Sequence, residues 1–319
     1  MQKRVVILGG VGLLGSHLAR RILDRGEILY VVDTREPCSS TLLRELSSHE
    51  NFHYVHHNIA SPFTIRCDEI YNLCAPTRLG YDKQPPVESL KTYLQGTINT
   101  LENARSEFSR VVYASSSLLY NSYEESPEEP FSERRARSEG VRSAEMIHHA
   151  YFSEYGTDSR IARLFNLYGS GADLNDRRVV MRMVSSALRG REIIVCGSGE
   201  QMRSFLWVED AADALIRLMQ AKPSHTPLTI DLGGEEEISI RALAEKIVSL
   251  TGSPSKIRHI EARHGEVKRR LPNLKPAMRE LHWRASTPLD EGLKRLIEYV
   301  EHELSAYTHG SRSWVETFG

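Results

Sequence analysis

The chain has 319 residues, long enough for a substantial core and for two lobes. Its 41 basic and 42 acidic side chains leave a net charge of −1, which gives no electrostatic case for nucleic acid or an anionic membrane. No apolar run approaches the roughly 20 residues that span a bilayer, and Met1 to Arg4 leads straight into a strand, so neither an anchor nor a signal peptide is expected.

The first strand is Arg4-Val5-Val6-Ile7-Leu8, a β-branched run of the kind buried in parallel sheets. Gly9, Gly12 and Gly15 follow as G-x-x-G-x-x-G, and Leu13, Leu14, Leu18 and Ile22 continue at helical spacing. That order has the physics of a dinucleotide site. Gly9 permits the tight turn, Gly12 lets backbone approach a pyrophosphate, and Gly15 lets helix pack on strand, with the N–H groups of Leu13 and Leu14 facing the phosphate charge. A second strand, Ile28 to Val32, ends in Asp33, 18 residues past Gly15. A carboxylate there accepts hydrogen bonds from a ribose and repels a 2′-phosphate, which favours NAD; Arg35, two positions on, pulls the other way.

Ser39 to Ser48 reads as a short helix and Phe52 to Asn58 as a third strand. His56 and His57 are neighbours on that strand and point to opposite faces, so no metal is expected. Asn58, at its end, is either an adenine contact or a turn former. A fourth strand, Glu69 to Ala75, precedes Pro76, then come a helix from Val87 to Ser106 and a fifth strand, Arg110 to Ser116. Glu124 to Glu139 is a charge run with two prolines and is expected to be a solvated loop. A helix from about Val141 to Tyr155 leads into a sixth strand, Ser159 to Asn166. The alternation predicts an α/β fold with a parallel, doubly wound sheet.

Beyond Asn166 the rhythm breaks. A helix is expected over Val179 to Arg189, a short strand over Glu192 to Cys196, a helix over Asp210 to Met219 and a last sheet strand over Leu228 to Leu232. Helices near Ser239–Thr251 and Leu289–Leu304 complete a small substrate-covering lobe, with Tyr307 to Gly319 as a loose tail. The expected division is residues 1–168 plus about 203–233 for the dinucleotide domain, and about 169–202 plus 234–319 for the smaller lobe. The four cysteines, Cys38, Cys67, Cys74 and Cys196, show neither C-x-x-C pairing nor metal spacing, which predicts reduced thiols in a cytoplasmic protein.

With the glycine turn in place, further stretches carry a likeness: Cys74-Ala75-Pro76, Ser89-Leu90-Lys91-Thr92 with Gly96-Thr97, and Ala114-Ser115-Ser116-Ser117 with Tyr120. Ala162-Arg163-Leu164-Phe165-Asn166, Asn175-Asp176 with Arg178-Val179-Val180, Gly197-Ser198-Gly199 with Gln201 and Arg203, Trp207-Val208 with Asp210, and Lys268 to Pro272 continue it in order. Over nearly its whole length the chain resembles the extended short-chain dehydrogenase/reductases, and within them the branch that decarboxylates UDP-glucuronate. The resemblance implies a Rossmann-type sheet with a smaller C-terminal lobe, NAD as cofactor, and a nucleotide sugar, UDP-linked, as partner. It implies cofactor contacts at Gly9, Gly12, Leu13, Leu14, Gly15, Asp33, Asn58, Ile59, Leu73 and Ala75. Nucleotide-sugar contacts are implied at Pro76, Asn166, Arg178, Val179, Cys196, Arg203 and Arg270, with the two last gripping the diphosphate. The helices near 87–106 and 141–155 are similar to the pair that forms a dimer seam in relatives, so a homodimer is expected.

The catalytic pattern of the family departs here. Relatives oxidise a sugar carbon with NAD, using the Tyr of Tyr-x-x-x-Lys as base and a Ser or Thr after strand five. Ser116 and Ser117 are retained; the Tyr and Lys positions fall on Arg137 and Val141, and the acid position on Leu118. Arginine does not deprotonate near neutral pH and valine has no polar atom. Tyr120, Tyr123, and a Tyr81–Lys83 pair are the available stand-ins, each without the family's lysine spacing. His148 and His149, on the dimer-seam helix, are expected to be structural. Two outcomes are therefore open: an enzyme with a rebuilt proton-transfer site, or a binding-only protein that keeps both pockets.

Overall fold

The computed structural model describes residues 2–76, 85–121, 133–223, 225–262 and 267–308. The first half alternates as expected. Strand β1 (Arg4–Leu8) is followed by α1 (Leu13–Asp24), β2 (Ile28–Asp33), α2 (Thr41–Leu46), β3 (Phe52–His56) and β4 (Glu69–Asn72). Then come α3 (Pro86–Glu107), β5 (Arg110–Ser116), α4 (Glu133–Tyr155) and β6 (Ser159–Leu164). The remainder runs β7 (Leu167–Tyr168), α5 (Val179–Leu188), β8 (Ile193–Cys196), β9 (Met202–Ser204), β10 (Leu206–Trp207), α6 (Val208–Gln220) and β11 (Leu228–Leu232). It closes with β12 (Glu237–Ser239), α7 (Ile240–Thr251), β13 (Ile257–Ile260), β14 (Arg269–Arg270), α8 (Lys275–Leu281) and α9 (Leu289–Thr308).

Seven strands pair in parallel in the order β11-β6-β5-β4-β1-β2-β3. Val5 to Leu8 are fully buried, as a central strand covered on both faces requires. Alternation along β1 sorts the faces: Val5 and Ile7 join the cluster that contains α1 and α6, while Val6 and Leu8 join the one that includes Leu101 and Ala104 of α3. Strand order reverses between β1 and β4, and a crevice opens beyond the carboxyl ends of strands at such a point. The C-terminal segments form small sheets beside it, β12-β9-β14 and β13-β8. Among the described residues no helix is long and apolar enough to cross a membrane.

Three expectations need correction. The charge run expected to be loop as far as Glu139 is helical from Glu133, so α4 begins eight residues before Val141; residues 122–132 lie outside the described residues. The helix can start there because α4 presses on α3: a Cβ on Gly140 would stand 2.5 Å from Tyr93 Cδ2, so the glycine is needed for close packing. The sixth strand stops at Leu164 because Asn166 takes φ +35°, which no strand accommodates. The expected tail begins late, since α9 runs to Thr308, and 309–319 lie outside the described residues.

His148 is a core residue. Its ring stacks on Tyr113 at 4.8 Å between centroids, Nδ1 pairs with Ser159 Oγ, and burial pulls its pKa down to about 3. Unfolding returns it to about 6.5. Because the folded value is the lower one, the native state binds fewer protons, and stability falls as pH drops from about 6.5 towards 3. Urea denaturation is expected to show about 2 kcal/mol lost between pH 7 and pH 5 from this group. That part of the pH dependence should vanish in His148→Phe; an equal loss in the variant would assign it elsewhere.

Candidate functional site

The register places Gly9, Asp33 and Leu73 at one edge of the sheet: Gly9 N–H donates to the Val32 carbonyl at 2.8 Å, and Leu73 N–H to the Leu8 carbonyl at 2.9 Å. Gly9 has φ +76°, and a side chain there would collide with Cys74 backbone. Gly15 lies directly on the turn, where a Cβ would stand 2.5 Å from the Gly10 Cα. Gly12 is different. Its Cβ position is 3.4 Å from the Gly9 carbonyl and 3.8 Å from Arg35 Nη2, which leaves an open face above the turn. No side chain caps α1 at Gly12, so the first-turn N–H groups of Leu13 and Leu14 face that opening. This cradle fits a dinucleotide pyrophosphate.

Asp33 Oδ2 accepts from Val11 N–H at 2.9 Å and Oδ1 from Arg35 N–H at 3.0 Å, so the carboxylate holds the glycine turn to the end of β2. Asn58 is a turn former: its Oδ1 accepts from Ala60 N–H at 3.0 Å. Ile59 is buried against Gly96, and its carbonyl accepts from Asn99 at 2.8 Å. Ala75 is exposed and Pro76 buried at the start of the segment that leaves β4. His56 and His57 serve separate partners, Tyr54 and the Ser61 carbonyl.

On the other side of the crevice, Arg203 and Arg270 are direct partners in the parallel β9–β14 pair, so their side chains leave the sheet on the same side. Two forked guanidinium groups at one position suit a diphosphate. Asn166 donates to the Ser204 carbonyl at 2.7 Å and ties the sheet's end to β9. Arg178, at the start of α5 before Val179, is held by Asp176 with Nε to Oδ2 at 2.7 Å. Cys196 ends β8, and its carbonyl accepts from Gln201.

Between these halves lie the positions that the resemblance assigns to proton handling. Val141 is 1 % exposed and packs with Tyr93 and Leu119 in an apolar cluster. Arg137 lies one turn earlier on α4, half-buried. Ser116 Oγ accepts from Leu118 N–H at 3.2 Å, Ser117 is buried, and Leu118 is half-buried. Tyr120 donates to Asp231 at 2.8 Å, and burial, then that bond, raises its pKa, which keeps the phenol protonated and makes it a poor base. Tyr81, Lys83 and Tyr123 lie outside the described residues.

A network that the sequence did not single out surrounds Tyr120. Ser115 donates to Glu145, Arg163 forks onto both Glu145 oxygens at 2.9 and 2.7 Å and reaches Tyr120 at 3.2 Å, and Asp231 accepts from Asn273 N–H at 2.9 Å. It joins β5, α4, β6 and β11 to the loop after β14, beside a cavity of about 280 Å³ lined in part by Arg142, Glu145 and His149. Arg163, placed in the strand Ser159–Leu164, was the available signal.

A reversed-order parallel sheet with an uncapped, glycine-built helix start at its switch point defines an NAD-type nucleotide-binding protein. The chain belongs to the NAD dependent epimerase/dehydratase family, which matches residues 5–233, and NAD is the cofactor of that family. It is 34% identical over 311 residues to UDP-glucuronic acid decarboxylase 1 of Danio rerio, covering 95% of this chain and 74% of the relative. It is 32% identical over 305 residues to UDP-glucuronic acid decarboxylase 3 of Arabidopsis thaliana, covering 92% and 88%. Among solved structures, UDP-glucose 4-epimerase from Thermotoga maritima with UDP-glucose superposes with a TM-score of 0.80 at 22% identity, covering 94% of this chain and 99% of that one. UDP-glucuronic acid 4-epimerase from Bacillus cereus, in complex with UDP-glucuronic acid and NAD, gives 0.82 at 19% identity, with the same coverages. These two establish the fold alone.

Proposed function

We propose that the protein binds NAD at the glycine turn and a UDP-linked sugar against Arg203 and Arg270, and that it does not carry out the sugar oxidation of its relatives. The observation that carries this is Val141, buried against Tyr93 and Leu119 where the family's lysine is expected. General acid–base groups are worth roughly 10²–10⁴-fold, so losing base, its lysine and the acid together leaves little of that reaction. NAD supplies a hydride acceptor when bound; the residues of this chain would hold the two diphosphates and tie the smaller lobe to the sheet through Asp231 and Asn273. The protein then senses its ligands or pairs with an active relative.

A second possibility, an enzyme with a rebuilt site, draws support from the Glu145–Arg163–Tyr120–Asp231 chain, in which Tyr120 is placed as a donor. Incubation with UDP-glucuronate and NAD decides between them. Heat of binding for both ligands with neither carbon dioxide nor NADH is expected; turnover by the parent protein establishes the enzyme. Heat for NAD with none for any UDP-sugar leaves a dinucleotide binder only. We further propose a cytoplasmic homodimer through α3 and α4, whose outward Val87, Met146 and Tyr155 are exposed apolar residues. A monomer in light scattering at micromolar concentration contradicts the pairing.

A further inference from the structure

The carboxylate that is meant to reject a 2′-phosphate is turned inward. Asp33 is 9 % exposed at its side chain; one oxygen takes Val11 N–H at 2.9 Å and the other Arg35 N–H at 3.0 Å. Both oxygens thus serve backbone donors of the turn, and the Arg35 guanidinium stands beside them with Nε 3.7 Å from Oδ1. The local charge is compensated, which weakens the repulsion on which discrimination against a 2′-phosphate depends.

Arg35 is also well presented. The Tyr54 hydroxyl lies 3.0 Å from the Arg35 carbonyl and 3.2 Å from that of Asp33, which fixes the backbone just after β2. The Arg35 side chain is half exposed, and its Nη2 lies 3.8 Å from the Cβ position of Gly12, at the rim of the opening where the pyrophosphate is expected. Glu36, the nearby carboxylate that opposes an anion here, is exposed, with Oε1 3.4 Å from His56 Nδ1. At 3.7 Å the Arg35–Asp33 pair is longer than a hydrogen bond, and the guanidinium end is half exposed, so a doubly charged phosphate can take it bidentately.

We infer that Arg35 is a specificity-determining residue that admits NADP beside NAD, by receiving the adenosine 2′-phosphate at the end of β2. This rests on the dinucleotide assignment of the glycine turn and adds to it the second phosphate and its ligand. The fork matters as well as the charge, so lysine is a partial substitute.

Calorimetry of the full chain with NAD and NADP tests it, with 5′-AMP and adenosine 2′,5′-bisphosphate as probes of the phosphate alone. In the parent protein the Kd for NADP is expected within about tenfold of that for NAD. Arg35→Ala should weaken NADP and the bisphosphate roughly 10- to 100-fold, the worth of one charge-assisted bidentate contact, and NAD less than about threefold. Arg35→Lys should recover part of the loss, and an unchanged melting temperature in both variants shows that they fold. NAD binding with NADP excluded a hundredfold, and no response to Arg35→Ala, overturns the inference and leaves the cofactor assignment standing. Binding of neither dinucleotide overturns both.

Discussion

Arg137→Tyr combined with Val141→Lys is expected to raise oxidation of UDP-glucuronate by roughly 10²–10⁴-fold over the parent chain, read as NADH or carbon dioxide. The two positions are four apart on α4 and share one helix face. A phenol alone has a pKa near 10 and is a poor base at neutral pH; an ammonium beside it favours the phenolate. Neither single substitution supplies both parts, so each alone is expected to gain little. The lysine has a structural cost. Val141 is 1 % exposed against Tyr93 and Leu119, and an ammonium placed there gives up apolar contact and loses water, for about 2–4 kcal/mol. A cofactor ribose offers that ammonium hydrogen-bond partners. NAD should therefore raise the melting temperature of the double variant more than that of the parent. A double variant that folds, binds both ligands and still yields neither carbon dioxide nor NADH would move the block to Leu118, the remaining departure at the end of β5.

What the sequence disclosed was local. The β1 turn, α1 and Asp33 lie within some 30 residues, and their roles follow from backbone sterics: a glycine with φ +76°, another in contact with Gly10, a third with open space above it. Strands such as Arg110–Ser116 and Leu228–Leu232 are long enough for their pattern to be read, and their bounds agree with the structure. In the small lobe the helices α5, α7 and α9 were legible in the same way, but its shortest elements gave no such signal. Strands β9, β12 and β14 have two or three residues each, too few for any period, and their pairing joins Arg203 to Arg270 across the lobe. Helix α8 has seven residues with a proline near its start and escaped notice for the same reason. The Tyr120 network was hidden by distance: its bonds span 43 residues to Arg163 and 111 to Asp231. Resemblance in a matching frame located the two arginines, whereas only coordinates could show that Asp33 spends its oxygens on the turn.

Gly12→Ala and Gly15→Ala, three residues apart in one turn, are expected to fail in opposite ways. At Gly15 the added methyl meets Gly10 backbone, with Cα and O at 2.5 Å and C at 2.7 Å, and no rotamer can relieve it. The start of α1 must lift, and that helix buries Leu14, Leu18, Ile22 and Leu23 against the sheet and α6. A loss of about 3 kcal/mol or more follows, a fall of several degrees in melting temperature, with dinucleotide binding lost as a consequence. At Gly12 the methyl meets only the Gly9 carbonyl at 3.4 Å and Arg35 Nη2 at 3.8 Å, and φ is −75°, which alanine adopts freely. Folding should change by less than about 1 kcal/mol. Yet that methyl fills the approach to the first-turn N–H groups, so NAD affinity should fall at least about 30-fold, since pyrophosphate binding there requires bare backbone. Melts and calorimetry on both variants separate the two effects. If Gly12→Ala binds NAD as tightly as the parent, the phosphates do not lie over this turn, and the pocket assigned to the cofactor must be sought elsewhere along the crevice.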